Sequence, residues 1–122
     1  MVKLLLIISG GALGSLTRYL VNNFYIFFFP NFPIGTLFVN FTGSFLVGFL
    51  ISYLENYSYN ENFIRFFLII GFLGSFTTFS AFSMEIIEFI NNKKIFTALI
   101  YLILSILLCI SGAFLGYFIN RV

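Results

Sequence analysis

Residues 63–90 read FIRFFLIIGFLGSFTTFSAFSMEIIEFI, and this stretch decides the fold. As a straight α-helix its 28 residues would measure ~42 Å, against about 30 Å for the hydrocarbon core of a bilayer. Both ends are apolar enough to cross a membrane. The middle, however, holds two glycines, two adjacent threonines and three serines, which are poor helix formers. We therefore predict a membrane-spanning helix that is broken mid-membrane, near residues 74–78.

The residues after this break carry an unusual pair of aromatic side chains. Phe79 and Phe82 lie three positions apart, so they share one helix face, and Ser80 and Ser83 form a second pair about 100° around the helix. Aromatic ring edges carry partial positive charge. A broken helix also frees backbone carbonyls that bind cations and amides that bind anions. The pattern predicts a place where a dehydrated anion is held without a fixed positive charge.

The composition excludes most other classes of protein. Of the 122 residues, 61% are hydrophobic and 8% charged, and twenty are Phe, whereas soluble domains average about 45–50% apolar and about 25% charged residues. So short a chain cannot bury this much apolar surface in a water-soluble core. With no His and one Cys, a His-based metal site, a Ser-His-Asp triad and an internal disulfide are excluded. We predict an all-α integral membrane protein that is not an enzyme and, at a net charge of +2, binds no nucleic acid.

Polar and turn-forming residues divide the chain into four predicted spans within a single transmembrane domain, residues 1–122. The spans cover about residues 4–29, 34–54, 63–90 and 95–119. They are separated by a proline-containing breaker at 30–33, a polar loop at 55–62 and a tight polar turn at 91–94, and a short tail follows at 120–122.

The basic residues do not select one orientation in the membrane. Four spans place both termini and the second loop on one side. The Lys and Arg residues then divide three against three, with Lys3, Arg65 and Arg121 opposite Arg18, Lys93 and Lys94. Orientation is normally set by a Lys/Arg excess in cytoplasmic loops. Two interpretations remain open: the chain inserts both ways up and pairs as antiparallel dimers, or small differences in flank position fix one orientation.

Small and polar residues recur every four positions along three of the spans. They are Gly10, Gly14 and Arg18 in the first span, Thr36, Asn40, Ser44, Gly48 and Ser52 in the second, and Tyr101, Ser105, Cys109 and Ala113 in the fourth. The glycines are typical of close helix packing. Asn40 is not, because an amide within hydrocarbon needs hydrogen-bond partners, and we assign it a functional role. Arg18 either snorkels to the interface beside Tyr19 or attracts anions at a pore mouth.

Three motifs carry a family resemblance. They are Gly10-Gly11 with Arg18-Tyr19, the string GTLFVN at 35–40 followed by Gly43, and Gly71-x-x-Gly74 followed by TTFSAFSME at 77–85. With these motifs the chain resembles, over essentially its whole length, the Fluc (CrcB-type) fluoride channels. The resemblance implies an antiparallel dual-topology homodimer with two pores in the plasma membrane. It also implies selective, passive fluoride export that lowers cytoplasmic fluoride.

The resemblance also implies roles for individual residues. By this resemblance, fluoride would contact Phe79 and Phe82, with Asn40 lining the same pathway. Ser80 and Thr36 would be accessory polar groups there. Tyr101 and Ser105 would begin a polar track on the fourth helix, and Arg18 would lie near a vestibule. A central structural sodium ion would be held by the backbone carbonyls of Gly74 and Thr77 from both subunits, and Glu85 would match the acid that ends the third motif. This chain departs from the family pattern at Ser75, where many members have Gly, and at Cys109 and Ala113, where the track often continues with hydroxyls.

Two other kinds of membrane protein fit the sequence less well than a channel does. A small multidrug exporter needs a carboxylate within a span, whereas Glu85 and Glu88 lie toward the end of one. A non-transporting subunit that packs through its glycines would explain the glycine faces. It would not explain Asn40 together with the TTFSxFS string.

Overall fold

A computed structural model describes residues 1–57 and 59–121. The helices are α1 (Val2–Phe28), α2 (Ile34–Asn56), α3 (Phe63–Leu73, continued by Gly74–Phe76), α4 (Phe79–Asn91) and α5 (Ile95–Ile119). No strand occurs in these two ranges. Ser58, in the predicted loop, and Val122, at the end of the predicted tail, lie outside the described residues.

Four stretches are long and apolar enough to cross a bilayer: α1, α2, α3 together with α4 (Phe63–Asn91), and α5. The shortest has 23 residues, or ~35 Å of helix against a core of about 30 Å. Large apolar side chains are exposed along all of them, including Phe27 and Phe96. Exposure of this kind fits contact with lipid or with another protein surface. The prediction of four apolar, membrane-length helices is confirmed.

The connections between the helices follow local turn chemistry. α1 ends at Phe28, just before the Pro30 and Pro33 breaker, and α2 begins directly after Pro33. At the predicted polar turn, Lys94 N–H donates to Phe89 C=O at 2.8 Å and Lys93 N–H to Ile90 C=O at 2.9 Å. Lys93 has a φ of 59°, so the turn is a Schellman motif that ends α4 and lets α5 fold back against it.

Glycines bring the helices together in two close pairs. A Cβ on Gly48 would collide with the carbonyl of Ala113, and a Cβ on Gly116 with the carbonyl of Phe45, so α2 and α5 are in backbone contact. Gly10 lies in the same way against the carbonyl of Phe67, which joins α1 to α3. This is the small-residue packing of membrane helices, in which missing side chains let backbones approach.

We expect Gly116→Ala to lower the melting temperature of the purified protein clearly, because its new methyl group meets a backbone carbonyl that moves only if α2 and α5 separate. Overpacking of this kind typically costs about 1–3 kcal/mol. Gly11→Ala is the matched control, since its Cβ would meet the flexible Ser75 hydroxyl at 3.2 Å and the Gly71 carbonyl only at an ordinary contact distance of 3.9 Å. Equal melting temperatures for the two variants would show that the α2–α5 contact does not limit stability.

The third span contains both an irregular helix and an interruption. Phe63–Leu73 forms π-helical turns. Such turns are rare in proteins, and those that occur are often found at functional sites. After the short α-helical piece, Thr77 and Thr78 are extended, with ψ angles of 152° and 117°. The interruption therefore lies at Thr77 and Thr78, within the interval 74–78 that the sequence indicated. The π-helical turns were not predicted.

Two buried clusters position the residues around this interruption. One joins α4 to α5 through Phe82, Phe89, Ala98 and Tyr101. The other contains Val39, Leu73 and Phe76 and joins α2 to α3. Because one cluster lies on each side of the interruption, the two halves of the span are anchored to different neighbours.

Candidate functional site

Asn40 pairs with the backbone of the interrupted helix. Its Oδ1 accepts a hydrogen bond from Thr78 N–H at 2.7 Å, and its Nδ2 donates to Thr78 C=O at 3.0 Å. Extended residues cannot satisfy these groups within a helix, and an unpaired backbone group costs several kcal/mol in hydrocarbon. The Asn40 amide therefore supplies both missing partners of Thr78.

The interruption diverts two donors from their helical acceptors. In a continuous helix, Thr78 N–H would donate to Gly74 C=O and Ala81 N–H to Thr77 C=O. Instead Thr78 N–H bonds to Asn40, and Ala81 N–H bonds to Thr78 Oγ1 at 3.1 Å, which caps α4. The carbonyls of Gly74 and Thr77 thus lose their usual donors, and these are the two carbonyls that the resemblance assigned to a sodium ion.

A groove of about 450 Å³ runs beside the interruption. Of the predicted site residues, Asn40, Phe79, Phe82, Ser105 and Thr77 line it. The two phenylalanine rings lie 5.3 Å apart between centroids, inclined at 52°. Phe82 is buried, with 6% of its surface exposed, whereas Phe79 is 76% exposed. The groove is therefore closed on the Phe82 side and open on the Phe79 side.

Few hydrogen-bond donors in this groove are unused. The Ser105 hydroxyl has no partner among the described residues, although Ser105 is only 6% exposed. Asn40 has two Nδ2 hydrogens, of which Thr78 takes one. In the described part of the chain no Lys or Arg lines the groove. The groove is thus lined by the hydroxyls of Ser44 and Ser105, one free amide hydrogen and two ring edges.

Glu85 organises two more of the predicted residues. Thr36 Oγ1 donates to Glu85 Oε1 at 2.5 Å, and Tyr101 OH donates to Glu85 Oε2 at 2.6 Å. Each hydroxyl has a single hydrogen, so both are committed to the carboxylate rather than to the groove. The sequence had placed Glu85 only at the end of a motif. Its spacing of three from Phe82, which puts both on one helix face, was the signal that could have identified it.

A second, polar cavity of about 440 Å³ lies on the far side of Glu85. Thr36, Glu85, Glu88, Asn22 and Lys94 are among its lining residues. The Tyr101 ring, 5.3 Å from that of Phe82, connects the Glu85 network to the groove. Glu85 lines the polar cavity and Phe82 lines the groove, so Tyr101 contacts one lining residue of each.

The structure leaves two predicted residues outside this arrangement. Ser80 is exposed, and its Oγ lies 3.1 Å from Thr78 Oγ1 beside the groove rather than in its lining. Because α1 continues to Phe28, Arg18 lies ten residues, or ~15 Å, before the end of that helix. Arg18 is half-buried, lines neither cavity and makes no ion pair within residues 1–57 and 59–121.

Tyr101→Phe is expected to lower the melting temperature, because one oxygen of the half-buried Glu85 carboxylate loses its donor. An unpaired buried acceptor costs about 1–3 kcal/mol. Tyr117→Phe removes the corresponding bond to the exposed Glu55, where water replaces it, and we expect a smaller effect. Thermal unfolding in detergent compares the two variants, and a Tyr101→Phe effect no larger than that of Tyr117→Phe would contradict the prediction.

Comparison with known proteins gives consistent matches. Residues 5–117 match the family described as "CrcB-like protein, Camphor Resistance (CrcB)". A "Fluoride-specific ion channel FluC" of Coxiella burnetii (strain CbuK_Q154) is 46% identical over 121 residues, covering 98% of each chain. Proteins of the same name from Hydrogenobaculum sp. (strain Y04AAS1) and Rhizobium meliloti (strain 1021) are 45% and 43% identical, over 92% and 97% of this chain and 95% of each relative.

Proposed function

The chain belongs to the CrcB family, as its motifs predicted, and from this premise we propose that it is a fluoride-selective channel for passive fluoride export. It is a multi-pass protein of the cell membrane, in a family of ion channels rather than enzymes. The observation that carries the proposal is the groove beside the interruption, where two serine hydroxyls, an amide hydrogen and two ring edges converge. Export through it would lower cytoplasmic fluoride.

The groove suits an anion that must lose its water. Fluoride is small and strongly hydrated, so a pore conducts it only if its own donors replace the hydration shell. Ser105 and Asn40 supply two such donors, and the Phe79 and Phe82 edges supply partial positive charge. Because no Lys or Arg lines the described part of the groove, the anion is not trapped by a full opposite charge. Chloride is larger and fits such a site poorly.

The fluoride path runs from the groove past Phe82 and the Glu85 network to the polar cavity. Beside this path, Thr36 and Tyr101 hold the Glu85 carboxylate in place, and their two hydroxyl donors offset part of the negative charge that would repel the anion. Ser80 extends the polar wall beside Thr78. Arg18 contributes a long-range positive potential that attracts anions toward a vestibule.

A second copy of the chain completes the pore. Phe79 is largely exposed and the groove is open beside it, so an antiparallel partner would cover it and create two equivalent pores per dimer. The even division of basic residues is compatible with insertion both ways up. Reporters fused to either terminus test this: detection on both sides of the membrane supports dual topology, and detection on one side alone refutes it.

A structural sodium ion fits the interruption at the centre of this dimer. The Gly74 and Thr77 carbonyls lack their helical donors, and hard cations prefer oxygen ligands. Around a two-fold axis, two carbonyls from each chain would give four ligands. The ion would join the interrupted helices of the two subunits in the middle of the membrane. Ion-replacement crystallography of the dimer tests the site, and the absence of ion density between the two interruptions would reject it.

Fluoride efflux from liposomes tests the function directly. Purified protein is reconstituted into vesicles loaded with potassium fluoride, valinomycin is added, and an electrode follows fluoride release. We expect rapid fluoride efflux and no comparable chloride efflux. Equal chloride efflux, or no efflux from well-folded protein, would reject the proposal. Proton flux that depends on an added drug would instead support a multidrug exporter.

A further inference from the structure

The only cysteine of the chain lies in the wall of the groove. Cys109 is half-buried and lines the same space as Phe79, Phe82 and Asn40. It lies one helical turn beyond Ser105 on α5. Ser105 is 94% buried with a hydroxyl that has no partner among the described residues. Buried polar groups are nearly always hydrogen-bonded, so an unpaired hydroxyl at this position points to a water molecule or an ion bound beside it.

We propose that Cys109 is a thiol-modification site whose occupation closes the groove, an inference that rests on the proposed channel function. The ligand class is a thiol-directed electrophile such as a methanethiosulfonate. The Cys109 thiol gives its proton to water, and the resulting thiolate attacks the sulfenyl sulfur of the reagent. A new S–S bond forms, the S–SO₂ bond breaks, and methanesulfinate leaves with the electron pair. No additional oxidant is needed.

The position of Cys109 explains why the adduct would close the path. The residues across the groove belong to α2 and α4, so a group attached to the thiol occupies the space between α5 and these helices. A benzyl group placed there competes with an anion for the edges of Phe79 and Phe82. The thiol itself is only a weak hydrogen-bond donor, so removing it does not remove a strong fluoride contact.

The experiment uses benzyl methanethiosulfonate, which is neutral and reaches the groove from either side of the membrane. Reconstituted wild-type protein is treated, a single adduct is verified by mass spectrometry, and fluoride efflux is measured. We expect efflux to fall at least about tenfold, since a filled pore no longer offers the anion its donors. Dithiothreitol should restore it by reducing the mixed disulfide.

Two variants serve as controls. Cys109→Ser removes the thiol, so its efflux, compared with that of the same variant before treatment, should not respond to the reagent. In that background, Phe96→Cys places a thiol at the start of α5, on a side chain that is 77% exposed and does not line the groove, so it should be labelled without loss of efflux.

The outcomes separate the two proposals. Complete labelling of Cys109 with unchanged efflux overturns the modification site. So does a thiol that reacts only after denaturation, because it shows that solution does not reach Cys109. Absence of fluoride efflux before any labelling rejects the channel function, and the inference about Cys109 falls with it.

Discussion

Replacement of Phe79 by isoleucine is expected to abolish fluoride efflux while leaving the protein folded. The Phe79 edge is half of the partial positive charge that the groove offers to a dehydrated anion, and isoleucine has no such edge. Each 1.36 kcal/mol of lost stabilisation slows passage about tenfold. A dehydrated fluoride ion in the groove has no water that could replace the lost contact with the ring. We therefore expect at least about a hundredfold loss if the ring contributes about 3 kcal/mol.

The exposure of Phe79 makes this variant a clean test. Because 76% of the side chain is exposed in a single chain, its removal costs little packing within the subunit. Phe96→Ile is the matched control, since Phe96 is 77% exposed but lies at the start of α5, outside the groove lining. It should conduct like wild type. Near-normal efflux from Phe79→Ile would show that the ring does not contact the permeating anion.

Phe82→Ile should impair efflux as severely, but its interpretation is less direct. Phe82 is buried against Tyr101 in the cluster that joins α4 to α5, and truncation of a buried aromatic side chain destabilises a protein by several kcal/mol. Efflux from this variant should be compared only after its melting temperature has been measured.

The number and length of the helices could be predicted because both depend on local patterns. Runs of apolar residues between Pro30, the 55–62 loop and the 91–94 turn mark the spans, and the threonine pair marks the interruption. The π-helical turns of Phe63–Leu73 could not be predicted. That segment is almost uniformly apolar, and its backbone lies against α1 at Gly10, a tertiary contact that residues 63–73 alone do not reveal.

The sequence names residues of the candidate site but not their hydrogen-bond partners. Asn40 was singled out as an amide within a span, Phe79 and Phe82 by their spacing, and the role of Ser105 came from the resemblance; the structure brings these four residues to one groove. Spacing within one helix cannot reveal which residue of another helix takes a given hydrogen. The pairing of Asn40 with Thr78, 38 positions away, is therefore visible only in the fold, as are the bonds from Thr36 and Tyr101 to Glu85.

The pairing of Asn40 with Thr78 leads to the second large effect. In Asn40→Leu, both the N–H and the C=O of Thr78 lose their partners, at about 1–3 kcal/mol each. Thr78 also caps α4 and borders the groove, so the interruption should lose its shape. We expect efflux to disappear, the melting temperature to fall, and hydrogen exchange of the Thr78 amide to accelerate.

The exchange measurement distinguishes positioning from direct contact. If Asn40 acted only by donating to fluoride, Asn40→Leu would abolish efflux without changing the exchange of Thr78. Asn120→Leu is a control of the same chemistry, because Asn120 donates from Nδ2 to Phe49 C=O at 3.2 Å, far from the interruption. That variant should lose some stability and still conduct. Unchanged exchange and melting temperature in Asn40→Leu would refute the positioning role, because the amide would then not be what holds the extended backbone in place.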